Sequence, residues 1–197
     1  MSFDIVTIIK ATGYLGLFGI VFAESGLLIG LFLPGDSLLF TAGFLASQGI
    51  LNLPITITVI FVAAVAGVST GYEIGRRFGP RIFKRDKSLL FNKEYIQRSQ
   101  QFYQRHGGKT IMLARFVPIV RTIAPLLAGV GDMNYLVFVA YNLVGGLIWS
   151  IALPLLGYFL GRSIPNIDHY LLPIVLIIIV VSLLPSLLHV LKSRKGH

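Results

Sequence analysis

The chain has 197 residues, of which 55% are hydrophobic and only 13% charged, with a mean hydropathy of +0.80. A soluble domain of this size carries about 25% charged residues, so the composition specifies an integral membrane protein built as one compact bundle. There is no cysteine, which excludes disulfides, thiol nucleophiles and thiolate metal sites.

The net charge of +9 could suggest nucleic acid, but its distribution argues against that partner. Ten of the seventeen Lys and Arg fall between Arg76 and Lys109, and Lys192, Arg194 and Lys195 sit in the tail. Basic loops beside apolar spans are the positive-inside signal, with anionic lipid contact as a secondary reading. The 76–109 loop and the C-terminus are therefore expected in the cytoplasm. Asp4 and Lys10 give no basic leader region, so no cleavable signal is expected at the N-terminus.

In chain order, the first candidate span is Tyr14 to Leu33, interrupted by Glu24-Ser25-Gly26. Leu33 to Ser47 follows, too short to cross and broken by Pro34-Gly35 and Gly43. Leu53 to Phe78 is long and apolar enough to span, with Pro54 suited to a first helical turn. Asn92 reads as an N-cap and Gly107 as a stop for an interfacial helix over 92–106, with Tyr95, Ile96, Ser99, Phe102 and Tyr103 on one face. Thr110 to Val130 is apolar but carries Pro118, Pro125, Gly129 and two arginines. Tyr135 to Leu160 and Tyr170 to Leu191 complete the spans.

Interrupted helices at membrane depth survive only where protein or water covers the freed backbone groups, so the two short stretches read as re-entrant hairpins. The chain also repeats itself. Phe32-Leu33-Pro34, Ala42-Gly43 and Gly71-Tyr72-x-x-Gly75-Arg76 match Phe116-Val117-Pro118, Ala128-Gly129 and Gly157-Tyr158-x-x-Gly161-Arg162. Gly43 to Gly71 and Gly129 to Gly157 are both 28 residues apart. The fold class expected is an all-α integral membrane protein: an inverted repeat of a re-entrant helical hairpin plus a transmembrane helix. Repeat one covers about 14–79 and repeat two about 109–162, followed by a transmembrane helix over about 170–191. Inverted repeats with discontinuous helices meeting near the midplane recur among secondary transporters.

Four charges lie inside apolar stretches: Glu24, Asp36, Arg115 and Arg121. Charge at membrane depth normally faces a partner or a water-filled cavity and marks a pathway. Arg115 and Arg121 are six residues apart, so a continuous helix would separate them, whereas a break near Pro118 lets both face one cavity. Arginine keeps its charge and grips phosphate bidentately, which makes these two the candidate head-group ligands. Glu24 and Asp36 are the candidate proton-coupling groups. The competing reading makes the four charges buried ion pairs that hold the hairpins together. Glu73, Tyr72 and Arg76 are secondary candidates; for Glu73 an i,i+4 pair with Arg77 is the simpler explanation. Gly67, Gly71, Gly75 and Gly79 form a small-residue stripe read as packing.

His106, His169, His189 and His197 show no metal-ligand spacing, and no nucleophile elbow or Walker loop is present. No metal, no cofactor and no enzymatic activity are expected, and the oligomeric state, including a homo-oligomer, is left open.

Together Glu24, Pro34-Gly35-Asp36-Ser37, Ala42-Gly43, Gly71-Tyr72-x-x-Gly75-Arg76 and Arg115-Phe116-x-Pro118-x-x-Arg121 through Ala128-Gly129 resemble the DedA family, also called the SNARE-associated or VTT-domain family. The resemblance covers roughly Gly13 to Arg162. It implies a bacterial inner-membrane protein with two opposed re-entrant hairpins that depends on Glu24, Asp36, Arg115 and Arg121. It further implies envelope homeostasis, dependence on the proton motive force, and flipping of lipids such as undecaprenyl phosphate or phosphatidylethanolamine. The expected function is movement of a phosphate-bearing lipid between leaflets, undecaprenyl phosphate favoured, coupled to protons. The alternative is a proton-coupled antiporter for a small ion or drug.

Overall fold

The computed structural model describes residues 5–27, 35–82 and 107–163. Within them the chain is helical and no strand is present: α1 (Ile5–Gly26), α2 (Gly35–Ser47), α3 (Leu53–Ile82), α4 (Lys109–Ala114), α5 (Pro118–Val130) and α6 (Tyr135–Ser163). The interfacial helix expected over 92–106 and the terminal span over 170–191 lie outside the described residues, as does Pro34.

Two helices are long and apolar enough to cross a bilayer, Leu53–Phe78 within α3 and Tyr135–Ser163. The first helix starts earlier than the Tyr14 to Leu33 pattern suggests and ends where Glu24-Ser25-Gly26 breaks that pattern. Glu24 therefore occupies its last turn.

The long helices α3 and α6 run antiparallel. Tyr72 stacks on Phe138, while Asn142 Nδ2 donates to Val65 O and to Ser69 Oγ, both at 3.2 Å. Each short helix packs along the long helix that follows the other one, and runs parallel to it. Thus α2 lies on α6, where Gly43 abuts the Pro154 carbonyl and Gly157 abuts the Phe40 carbonyl. In the same way α5 lies on α3, where Gly129 abuts the Tyr72 carbonyl and Gly75 the Leu126 carbonyl. Helix α1 packs on α3 through Gly26 and Gly67. At these four α2–α6 and α5–α3 positions any Cβ would collide with backbone, so glycine is what permits the close approach. The stripe on α3 is thus divided: Gly67 faces α1, Gly71 meets both Gly26 of α1 and Pro125 of α5, and Gly75 faces α5.

The turns leaving α2 and α5 have the same construction. Ile50 N donates to Leu45 O at 3.2 Å and Gly49 N to Ala46 O at 3.2 Å. Met133 N donates to Ala128 O at 3.0 Å and Asp132 N to Gly129 O at 3.1 Å. Both are Schellman closures, which need a left-handed residue; Gly49 supplies φ 74° and Asp132 φ 48°. An asparagine then caps the next helix: Asn52 Oδ1 accepts from Ile55 N at 3.1 Å, and Asn134 Oδ1 accepts from Leu136 N at 3.0 Å.

The region Arg115–Val117 separates α4 from α5. Phe116 N and Val117 N turn back to Leu113 O and Ala114 O, and Val117 is extended at φ −116°, ψ 109°. Pro118 then opens α5 at a position where its missing N–H costs nothing.

Candidate functional site

The N-termini of α2 and α5 stop at the middle of the long helices. Trp149, the central residue of α6, donates its indole N–H to Asp36 Oδ1 at 3.0 Å. Arg121, in the first turns of α5, shares a small cavity with Ser25, Val68, Arg115 and Trp149, and Val68 lies at the middle of α3.

Arg121 is the hub. Its Nη1 donates to Asp36 Oδ1 at 2.7 Å, its Nη2 donates to Glu24 Oε1, and its guanidinium lies over the Trp149 ring, 5.3 Å from the centroid. The end of α1 is tied in as well, because Gly35 N donates to Glu24 Oε1 at 3.2 Å. Glu24 thereby covers the first amide of α2, and Asp36 places a second negative charge on that positive helix end. Arg121 sits at the positive end of α5, which is unfavourable alone and is offset by the two carboxylates. A Cβ at Gly35 would overlap the Glu24 carboxylate, so any side chain there displaces that carboxylate.

Burial divides the three charges. Glu24 is fully buried, the Arg121 side chain is 10% exposed, and the Asp36 side chain is 46% exposed. Glu24 Oε2 has no hydrogen-bond partner among the described residues.

Arg115 has a different environment. It is 5% exposed, and its Nη2 donates to Asn142 Oδ1 and, at 3.5 Å, to Asn142 O. Its stem lies against Gly145 and its guanidinium against Gly146, whose missing side chains leave room for them. Among the described residues no carboxylate lies within salt-bridge distance of Arg115, and its Nε has no partner. A buried guanidinium without a counter-ion is costly, so the arrangement favours an arriving anion. The shared cavity between Arg115 and Arg121 measures about 10 Å³, room for one water.

The secondary candidates do not join this cluster. Tyr72 is buried against Phe138, with ring centroids 4.4 Å apart, and its hydroxyl donates to Met133 O at 2.5 Å. Glu73 accepts from Arg77 Nε at 3.2 Å on an exposed helix face. Arg76 pairs with Asp132 at 3.4 Å, also exposed. Sequence reasoning passed over Trp149 and Asn142. Asn142 was detectable as a lone amide inside an apolar span, and Trp149 as the chain's single tryptophan.

The fold and these charges define a helical membrane protein of the VTT type: residues 33–159 match the VTT domain. The chain belongs to the DedA family of membrane proteins. It is 46% identical over 185 residues to Protein DedA of Escherichia coli (strain K12), covering 93% of this chain and 84% of that protein. It is 47% identical over 188 residues to an uncharacterized membrane protein of Mycobacterium tuberculosis (strain CDC 1551 / Oshkosh), covering 92% and 81%. It is 35% identical over 193 residues to the inner membrane protein YqjA of Escherichia coli (strain K12), covering 93% and 86%. No solved structure matches the chain.

Proposed function

We propose that the protein is a transporter, not an enzyme, that moves a phosphate-bearing lipid between leaflets of a bacterial inner membrane, coupled to protons. Undecaprenyl phosphate, recycled for envelope synthesis, is the favoured cargo. The observation that carries this reading is Arg115: a buried cation that lacks a carboxylate partner among the described residues and shares a small cavity with Arg121. Arg115 and Arg121 hold the phosphate, and Glu24 and Asp36 exchange protons as it arrives and leaves. A cavity of about 10 Å³ admits water but not phosphate, so loading requires the elements around it to part.

The architecture behind this reading is an inverted repeat of two re-entrant hairpins. Its support is the reciprocal packing of α2 on α6 and α5 on α3, the matching Schellman turns, and the arrival of both short helices at mid-membrane level. The positive-inside signal supports a cytoplasmic side for the basic 76–109 loop and the C-terminus.

The test is a flipping assay in proteoliposomes against a panel of phospholipids and polyprenyl phosphates, with and without an imposed pH step. Arg115→Gln is expected to abolish movement of undecaprenyl phosphate while the protein remains folded. Arg115→Gln or Arg121→Ala protein that moves the labelled lipid normally refutes the assignment. One observation favours a second reading: Arg121 is already engaged by both Glu24 and Asp36, as a counter-ion in a proton-coupled antiporter would be. Uptake of a water-soluble substrate driven by the pH gradient, without lipid cargo, selects that reading instead.

A further inference from the structure

Away from the central charges, a cavity of about 420 Å³ opens where α3 meets the α5–α6 turn, lined by Tyr72 and Arg76 of α3 and by the segment from Asp132 to Leu136. Its size falls in the ordinary range for small-ligand sites, about 300–1,000 Å³. None of the central-site charges contributes to it.

Its depth in the membrane follows from α6. A helix of 29 residues is about 43 Å long at 1.5 Å per residue, close to the roughly 40–45 Å of a bilayer with its head groups. Tyr135 is the first residue of α6, so the cavity lies at head-group level. Tyr135 and Tyr72, with rings 5.5 Å apart, supply the amphipathic aromatics that favour such a level. Leu136, 78% exposed, and Val137 continue the wall towards the hydrocarbon.

The polar part of the wall carries one charge of each sign. Arg76 Nε and Asp132 Oδ1 are 3.4 Å apart, and both side chains are more than half exposed. Such a pair holds little binding energy of its own and readily accepts other partners. The turn fixes the position of Asp132, because its left-handed backbone closes the Schellman motif after α5. Meanwhile the Tyr72 hydroxyl is committed to Met133 O and Asn134 Oδ1 to the α6 amides. Arg76 and Asp132 are therefore the charged groups of the wall that can meet a ligand, with the Tyr135 hydroxyl and the Asn134 amide N–H beside them.

We infer that this cavity is a second lipid site, taking a phospholipid head group that carries both a phosphate and a primary ammonium. Arg76 receives the phosphate through charge-assisted hydrogen bonds, and Asp132 receives the ammonium. The acyl chains lie along Leu136 and Val137. A purely anionic head group satisfies Arg76 but confronts Asp132 with a like charge, so the pair discriminates as well as binds. This site stands independently of the central transport reading.

The experiment is native mass spectrometry of the full chain in detergent, titrated with phosphatidylethanolamine and with phosphatidylglycerol of matched chains. Soluble phosphoethanolamine and inorganic phosphate serve as controls without acyl chains. Wild-type protein is expected to bind phosphatidylethanolamine about tenfold more tightly than phosphatidylglycerol, the effect of one charge-assisted contact. Asp132→Asn, which tolerates the same left-handed backbone, is expected to erase that preference. Arg76→Gln is expected to weaken both lipids about tenfold, again one charged contact. Both variants are expected to melt within a few degrees of wild type. Arg115→Gln is expected to leave the preference intact, which separates this site from the central one. Equal binding of the two lipids by wild type, or a preference that survives Asp132→Asn, overturns the proposal. So does a preference lost in Arg115→Gln, or soluble phosphoethanolamine binding as tightly as the lipid.

Discussion

Replacing Arg121 by alanine tests whether the central charges form one energetic unit. Its guanidinium is the shared partner of Glu24 and Asp36, but the two acids lose unequally. Asp36 is 46% exposed and keeps the Trp149 indole N–H, so water can compensate it. Glu24 is fully buried and keeps only the Gly35 amide. Removing one partner of a buried pair costs about 3–5 kcal/mol, because the other charge stays unpaired. At about 2–4 °C per kcal/mol for a chain of this size, the melting temperature falls by roughly 6–20 °C. Adding Glu24→Gln to Arg121→Ala removes the stranded charge and is expected to restore more than half of that loss. Asp36→Asn alone is expected to cost about 1 kcal/mol or less, the range for a partly exposed pair. The measurement is thermal melting in detergent followed by size-exclusion chromatography. Trp149 is the single tryptophan and lies beneath Arg121, so its emission reports locally whether the cluster has opened. A loss below about 1 kcal/mol for Arg121→Ala, in the range of an exposed pair, or no recovery in the double variant, refutes the reasoning.

Gly75→Ala and Gly129→Ala each drive a Cβ into a neighbouring backbone carbonyl and are expected to cost about 1–3 kcal/mol by melting, as overpacking does. Gly16→Ala, in open space on α1, is the control and is expected to gain up to about 1 kcal/mol of helix propensity. Tyr72→Phe removes the hydrogen bond to Met133 O and is expected to cost about 1 kcal/mol, with the stacking on Phe138 retained. Glu73→Gln breaks only the exposed i,i+4 pair with Arg77; a stability change below about 0.5 kcal/mol and unaltered lipid flipping are expected.

Hydropathy made α3 and α6 legible because each is a long run of apolar residues. The interruption at Glu24-Ser25-Gly26 was legible, although the span was read through it to Leu33, whereas α1 ends at Gly26. Its beginning at Ile5 was not legible, since Lys10 interrupts the apolar run ahead of Tyr14. The break between Arg115 and Arg121 could be read from Pro118, which cannot continue a helix from the preceding turn. That both arginines line one cavity depends on where α5 meets α3, and no local pattern encodes a helix–helix contact. Asn142 and Trp149 were missed for a related reason: their importance lies in what reaches them from α4 and α2. Asp132 reads as an ordinary turn residue, because only the folded turn shows that it holds the left-handed place occupied by Gly49 at the equivalent turn.

The meeting of bare glycine surfaces with main-chain carbonyls also bears on motion. Gly43, Gly157, Gly129 and Gly75 present no protruding knobs along the two lines where short and long helices touch. Seams this smooth have low corrugation for axial displacement, whereas rotation would drag bulky neighbours across each other. Shear along these rails, the small sliding of packed helices, is therefore the displacement that the seams permit most easily.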